Sequence, residues 1–162
     1  EVADGLLVHP FTTERYLREV TLPALERGLA TSGRSLDGFP ISFSGLLATG
    51  DSDEARRDAV TRVRGQIAFY GSTPAYRGVL ALHGWGDLQS TLNEMSRQGE
   101  WVKMGELIDD DVLNAFSVVG SPEDAGKEVL RRFGDVVHRF GLYAPYALDD
   151  ASRQSVVATL RR

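Results

Sequence analysis

An α/β fold built on parallel strands is what this sequence predicts, and three observations predict it. Short apolar runs alternate with longer stretches of helical periodicity. The longest apolar run, residues 39–48, is too apolar to alternate cleanly, the mark of a strand covered on both faces. The first two runs end in polar, Gly or Pro residues that lead into helix-start signals.

The first strand, residues 6–8, lies in the opening run Glu1-Val2-Ala3-Asp4-Gly5-Leu6-Leu7-Val8-His9-Pro10-Phe11. With no initiator Met and a strand almost at once, the chain is expected to enter its fold in the middle, with neighbouring strands upstream. Thr13 and Glu14 then offer a capping hydroxyl and a first-turn acid. Tyr16, Val20, Leu25 and Leu29 form a helical stripe closed by Gly33, and Pro23 inside it should kink the helix or mark a new first turn. After the second strand, Asp51 and Glu54 stand at capping-box spacing before a helix through Ala55, Ala59, Val63 and Ile67 to about Tyr70. Gly71-Ser72-Thr73-Pro74 breaks it, and residues 75–83, 88–98, 101–107 and 109–116 read as further helical pieces. Ser121-Pro122-Glu123-Asp124 starts a helix that runs to Phe133 and stops at Gly134. Residues 136–143 form a third strand, and Asp149 or Asp150 opens a last helix to Leu160. The order is β/α alternation with a helical insertion between the second and third strands. Three parallel strands do not shield themselves, so more are expected from missing sequence or a partner subunit.

Composition narrows the class. A chain of 162 residues, 42% hydrophobic and 25% charged, fits one globular domain. A net charge of −5 argues against nucleic acid or an anionic membrane as partner. The lack of Cys excludes a disulfide framework, a thiolate metal site and a cysteine nucleophile, and fits a reducing cytoplasm. No apolar run approaches the roughly 20 residues of a membrane span.

Several segments together resemble a known family. Val2-Ala3-Asp4-Gly5-Leu6-Leu7-Val8 is similar to the A-D-G strand of luciferase-like monooxygenases and coenzyme F420-dependent oxidoreductases. Phe69-Tyr70-Gly71-Ser72-Thr73-Pro74-Ala75-Tyr76, with Leu82-His83-Gly84-Trp85 after it, resembles one branch of that superfamily. Asp109-Asp110-Asp111-Val112-Leu113, Phe116-Ser117-Val118-Val119-Gly120-Ser121-Pro122-Glu123 and Leu142-Tyr143-Ala144-Pro145-Tyr146 fit the later part of the same pattern. The resemblance covers essentially the whole chain and implies a partial (β/α)8 TIM barrel, with residues 1–162 as its C-terminal half: the last three strands with their helices. It implies hydride transfer between coenzyme F420 and a small organic substrate, or else an FMN-dependent monooxygenase. The glycine-rich segment that helps hold the cofactor phosphate in such enzymes would lie upstream.

In a barrel the chemistry sits at the C-terminal ends of the strands. His9, directly after the first strand, is the catalytic candidate, able to meet a flavin or deazaflavin ring or move a proton; the alternative is a loop histidine held by hydrogen bonds. Ser44 and Thr49 are the cofactor-binding candidates, set against simple turn and cap chemistry. Phe11, Tyr70, Tyr76, His83, Trp85 and Tyr143, with Tyr146 beside them, are candidates for an apolar substrate pocket, or for ordinary packing of the insertion. Asp109-Asp110-Asp111 suits a helix N-terminus better than a metal, and His9, His83 and His138 have no ligand spacing. A reading of another class is a non-catalytic half-barrel that self-associates through open strand edges, as a homo-oligomer or with a missing N-terminal half.

Overall fold

The computed structural model describes residues 2–161; Glu1, which begins the opening run, lies outside them. β1 (Leu6–Val8) leads through His9 and Pro10 into α1 (Glu14–Tyr16), whose N-cap is Thr13. The helix widens to a π turn over Leu17–Thr21 and resumes as α2 (Leu22–Ala30), with Pro23 in its first turn. Proline lacks the N–H of an ordinary helical bond and crowds the preceding turn, and a wide turn just ahead of it relieves both.

β2 (Ile41–Thr49) follows, then α3 (Asp53–Gly71). The N-cap of α3 is Ser52, which accepts the Ala55 N–H at 3.2 Å, so the capping-box reading on Asp51 is displaced by one residue. A 3₁₀ turn over Pro74–Tyr76 introduces α4 (Arg77–Leu82), α5 (Gly86–Arg97), α6 (Trp101–Glu106) and α7 (Asp110–Phe116). Asp109 caps α7, accepting the Val112 N–H at 2.8 Å, and Asp110 pairs with Arg64, so the acidic run serves a helix start.

A short strand, β3 (Ser117–Gly120), then precedes α8 (Pro122–Phe133). Sequence reasoning missed it because no breaker separates it from α7: Ser117 is at once the C-cap of that helix and the first strand residue. β4 (Arg139–Tyr143) and α9 (Asp150–Leu160) complete the chain. β4 starts later than the expected residue 136, because the N–H groups of Val136 and Val137 both turn back to the Phe133 carbonyl. His138 makes the join instead: its N–H donates to the Ile41 carbonyl at 2.9 Å and its Nδ1 accepts the Ile41 N–H at 3.2 Å.

Among the described residues the four strands form one parallel sheet, and β2 pairs with each of the other three. β1 runs along residues 41–43 and β3 along residues 46–49. β4 pairs with residues 42–46, overlapping both registers, so it lies along the opposite edge. On one face Phe43, Leu47 and Val118 pack against Ala125, Val129 and Phe133 of α8 and Val156 of α9. On the other, Leu46 and Ala48 meet Ala59, Val63 and Ile67 of α3, with Phe11 and Phe116. Each fully buried Val, Leu, Ile or Phe among them contributes about 1.5–3 kcal/mol. Toward the start of the sheet the second face opens: Leu7 is 84% exposed, and Ser44 is exposed opposite Gly141.

A charged network ties the first helix to α8. Arg18 forks onto Asp135 at 2.8 and 3.0 Å and also pairs with Glu14. Arg132 pairs with Glu128 at 2.7 Å and donates to the Asn114 and Ser117 carbonyls, fixing the entry to β3. Bonds from Arg131, and then Arg132, hold the Glu128 carboxyl down at about 2, against an ordinary 4.5. Its contribution to stability is therefore complete above the unfolded-state pKa and lost as pH falls through about 2. Glu128→Gln should lower stability by about 1 kcal/mol at pH 7, a size set by partial exposure. That deficit should vanish toward pH 2 in acid-dependent urea melts.

α8 and α9 approach closely at Gly126, where an added Cβ would lie 2.7 Å from the Thr159 Cβ and 3.2 Å from the Val156 carbonyl oxygen. Gly126→Ala should cost about 1–3 kcal/mol by overpacking, despite the better helix propensity of Ala. Gly28→Ala, where nothing lies within 4 Å, should instead stabilise by up to about 1 kcal/mol. Urea midpoints of the two variants check the contrast.

Candidate functional site

Because the strands are parallel, their C-terminal ends face one rim, stepped along β2 from Phe43 to Thr49. His9 follows the last residue of β1, Thr49 ends β2 and Tyr143 ends β4. The insertion brings Tyr70 from the end of α3, and Tyr76 from the 3₁₀ turn, to the same rim. Pro74 sets that turn by fixing its φ at the first position.

The result is an aromatic cluster around His9. Its ring stacks on Tyr76, with centroids 4.8 Å apart and planes inclined by 27°, and stands edge-on to Tyr70 at 5.0 Å. Phe11 lies beneath, buried and stacked on Phe116 at 4.4 Å. The polar atoms are held as firmly as the rings. His9 Nδ1 accepts the Phe11 N–H at 3.0 Å, and Nε2 lies 3.1 Å from the Tyr76 hydroxyl. The Tyr70 and Tyr143 hydroxyls are 3.2 Å apart. Tyr146 accepts the Thr49 N–H at 2.9 Å and donates to the Thr49 carbonyl at 3.0 Å, closing the end of β2 onto the loop after β4.

These surroundings favour uncharged forms. Burial pushes the His9 imidazole below its ordinary pKa. Burial first, and then the neighbouring Tyr70 hydroxyl, push Tyr143 up to about 12. Burial likewise raises Tyr146. The rim is thus a neutral aromatic surface with hydroxyl and imidazole donors, suited to a planar uncharged ring with carbonyl oxygens.

The other candidates divide. Thr49 is 1% exposed; its backbone is taken by Tyr146, and its Oγ1 is buried with no partner among the described residues. Ser44 sits lower on β2, exposed on the open face, and Gly141 opposite leaves it room: an added Cβ there would lie 2.6 Å from Ser44 Oγ. His83 and Trp85 stack on each other at 4.6 Å, and His83 Nε2 pairs with Thr13 Oγ1 at 2.9 Å, bracing the start of α1 behind His9. Burial, and then Arg15, lower the His83 pKa. Phe116, the last residue of the helical piece 109–116, was not among the candidates, because only the Phe11 stack brings it to the site. Among the described residues no three His, Asp or Glu side chains gather to hold a metal. A cavity of about 590 Å³ lies between α3 and α6, lined by Phe69, Trp101, Val102 and Met104 and by the polar side chains of Thr61, Arg62, Arg64 and Glu106, away from the strand ends.

A sequence profile described as Luciferase-like monooxygenase matches residues 1–139. The chain belongs to this family. It is 52% identical over 139 residues to an uncharacterized protein of Mycobacterium tuberculosis, covering 86% of this chain and 41% of that protein. It is 28% identical over 130 residues to a 5,10-methylenetetrahydromethanopterin reductase of Archaeoglobus fulgidus, covering 76% of this chain and 37% of the reductase. The chain thus spans about two fifths of the length of the curated relatives it matches. The structure of a coenzyme F420-dependent tetrahydromethanopterin reductase from Methanopyrus kandleri superposes with a TM-score of 0.74 at 23% identity, covering 97% of this chain and 44% of that one. The parallel sheet of this luciferase-like chain is therefore an arc of the (β/α)8 barrel, and its aromatic rim lies where such barrels keep their sites.

Tyr143 offers a direct check on this rim. Its raised pKa means a contribution to stability that is complete below the unfolded value near 10 and lost as pH rises through about 12. In an ultraviolet difference titration, one tyrosine step near pH 12 should disappear in Tyr143→Phe. In Tyr70→Phe it should move down only partly, because burial, the larger cause, remains.

Proposed function

We propose that this chain forms the C-terminal half of a luciferase-like (β/α)8 barrel enzyme that transfers hydride between coenzyme F420 and a small organic substrate. The observation that supports it most is the neutral aromatic rim at the C-terminal ends of three parallel strands, in a family with F420-dependent reductases among its relatives. The residues fit a deazaflavin ring: Tyr70, Tyr76 and His9 offer flat apolar faces, and the Tyr76 and Tyr143 hydroxyls offer donors for ring or substrate oxygens. When bound, the deazaflavin supplies the hydride chemistry. This chain's residues orient the ring, screen it from water and keep their own groups uncharged beside it. None of the rim residues named above is Lys or Arg, so we assign the phosphate of the cofactor to strands that this chain does not supply. Ser44 and Thr49 remain candidates for the cofactor side of the site, and the remaining aromatics for the substrate side.

The family also supports an FMN-dependent monooxygenase as second reading. A third, a self-associating half-barrel, is favoured by the outer edges of β1 and β4, which are unpaired among the described residues, and by Leu7 at 84% exposure. Fluorescence titration separates them. Saturable quenching of F420, with weaker or no binding of FMN, is the expected result. Tight FMN binding without F420 binding supports the monooxygenase, and a concentration-dependent dimer that binds neither supports the half-barrel.

A further inference from the structure

We infer that the group which meets the ligand at this rim is the Tyr76 hydroxyl, and that His9 acts as its positioning residue, held as a neutral hydrogen-bond donor. The inference rests on the function proposed above and follows from one backbone contact. The Phe11 N–H points at His9 Nδ1 at 3.0 Å, so that nitrogen must offer its lone pair. A neutral imidazole with Nδ1 as acceptor carries its proton on Nε2. Nε2 lies 3.1 Å from the Tyr76 Oη, so His9 donates and Tyr76 accepts. Charging His9 would put a proton on Nδ1, against the Phe11 N–H, and burial already disfavours the charged ring.

The consequence falls on Tyr76. A hydroxyl that accepts from His9 keeps its own hydrogen to give away. Among the described residues Tyr76 Oη has no other hydrogen bond, and the side chain is only part-buried. Its ring is fixed by stacking on His9 and by the Phe11 ring 5.4 Å away. Pro74, two residues earlier, stiffens the turn that carries it. The hydroxyl hydrogen is thus presented to the rim in a set direction, suited to a carbonyl oxygen of a planar ring ligand. His9 is unsuited to act as a base through Nδ1, which is engaged, or through Nε2, which already carries a proton.

Two measurements test this. A long-range ¹H–¹⁵N correlation spectrum of the labelled full chain near neutral pH should show His9 with an unprotonated Nδ1 and a protonated Nε2, and His9→Gln identifies the signal. F420 and FMN titrations should then show Tyr76→Phe and His9→Phe weakening the bound cofactor by about tenfold each, the loss of one directed hydrogen bond. His9→Gln, whose amide N–H restores a donor toward Tyr76, should stay within about threefold of the unaltered chain. A proton on His9 Nδ1 overturns the inference whatever binds. Tyr76→Phe binding as tightly as the unaltered chain overturns the donor role alone, and His9→Gln as weak as His9→Phe overturns the positioning role. If the unaltered chain binds neither cofactor, the proposed function and the Tyr76 contact fall together, which sets that outcome apart from the others.

Discussion

The structure depends on β2, the strand along which every other strand of the sheet pairs. A parallel ladder needs its members side by side, and β2 imposes this, taking β1 and β3 in succession on one edge and β4 on the other. Close packing at the joins leaves little tolerance. An added Cβ on Gly45 would run into the tip of the Phe140 ring, so a side chain there would drive that ring from its place over the β2–β4 pair. The register then decides the site. His9, Thr49 and Tyr143 stand at the same end of the sheet because the strands they end run the same way, with β1 ending level with Phe43, β4 level with Leu46 and β2 running on to Thr49.

The rim follows a second constraint, that buried polar groups must be paired. The four tyrosines around the exposed His9 are partly buried, so their hydroxyls and its imidazole gain by pairing with one another. Here they satisfy one another: His9 with Phe11 and Tyr76, Tyr70 with Tyr143, Tyr146 with both backbone groups of Thr49. Low dielectric and neutral partners reinforce each other, which is why Tyr143 is pushed up and His9 down by the same burial.

Most elements were legible because their signals are local. Thr13, Ser121 and Asp149 announce helix starts by a side chain that reaches the N–H three residues on, and the structure uses all three in that way. The expected burial of β2 on both faces holds from Gly45 to Thr49, but at its start Ser42 and Ser44 turn one face to the open side. What stayed hidden was decided at a distance. β3 gains its strand partner only through β2, and residues 136 and 137 lose theirs to a carbonyl at the end of α8. At the site, the position of His9 after a strand was readable, and so was the aromatic content of the insertion. The pairing of His9 with Tyr76, 67 residues on, was not, because the 3₁₀ turn that delivers Tyr76 acts through folding of the whole insertion.

The insertion therefore does more than cover the barrel. It carries Tyr70 and Tyr76 from outside the β/α alternation to the rim, while Phe116, at its far end, supports Phe11 under His9. A barrel strand alone would leave His9 a solvated histidine near its ordinary pKa. The insertion partly covers this exposed ring, with one nitrogen committed to the backbone and the other to a tyrosine. Variation within the insertion would then change what the proposed site can bind, since the strands set where the rim lies and the insertion sets which groups face it.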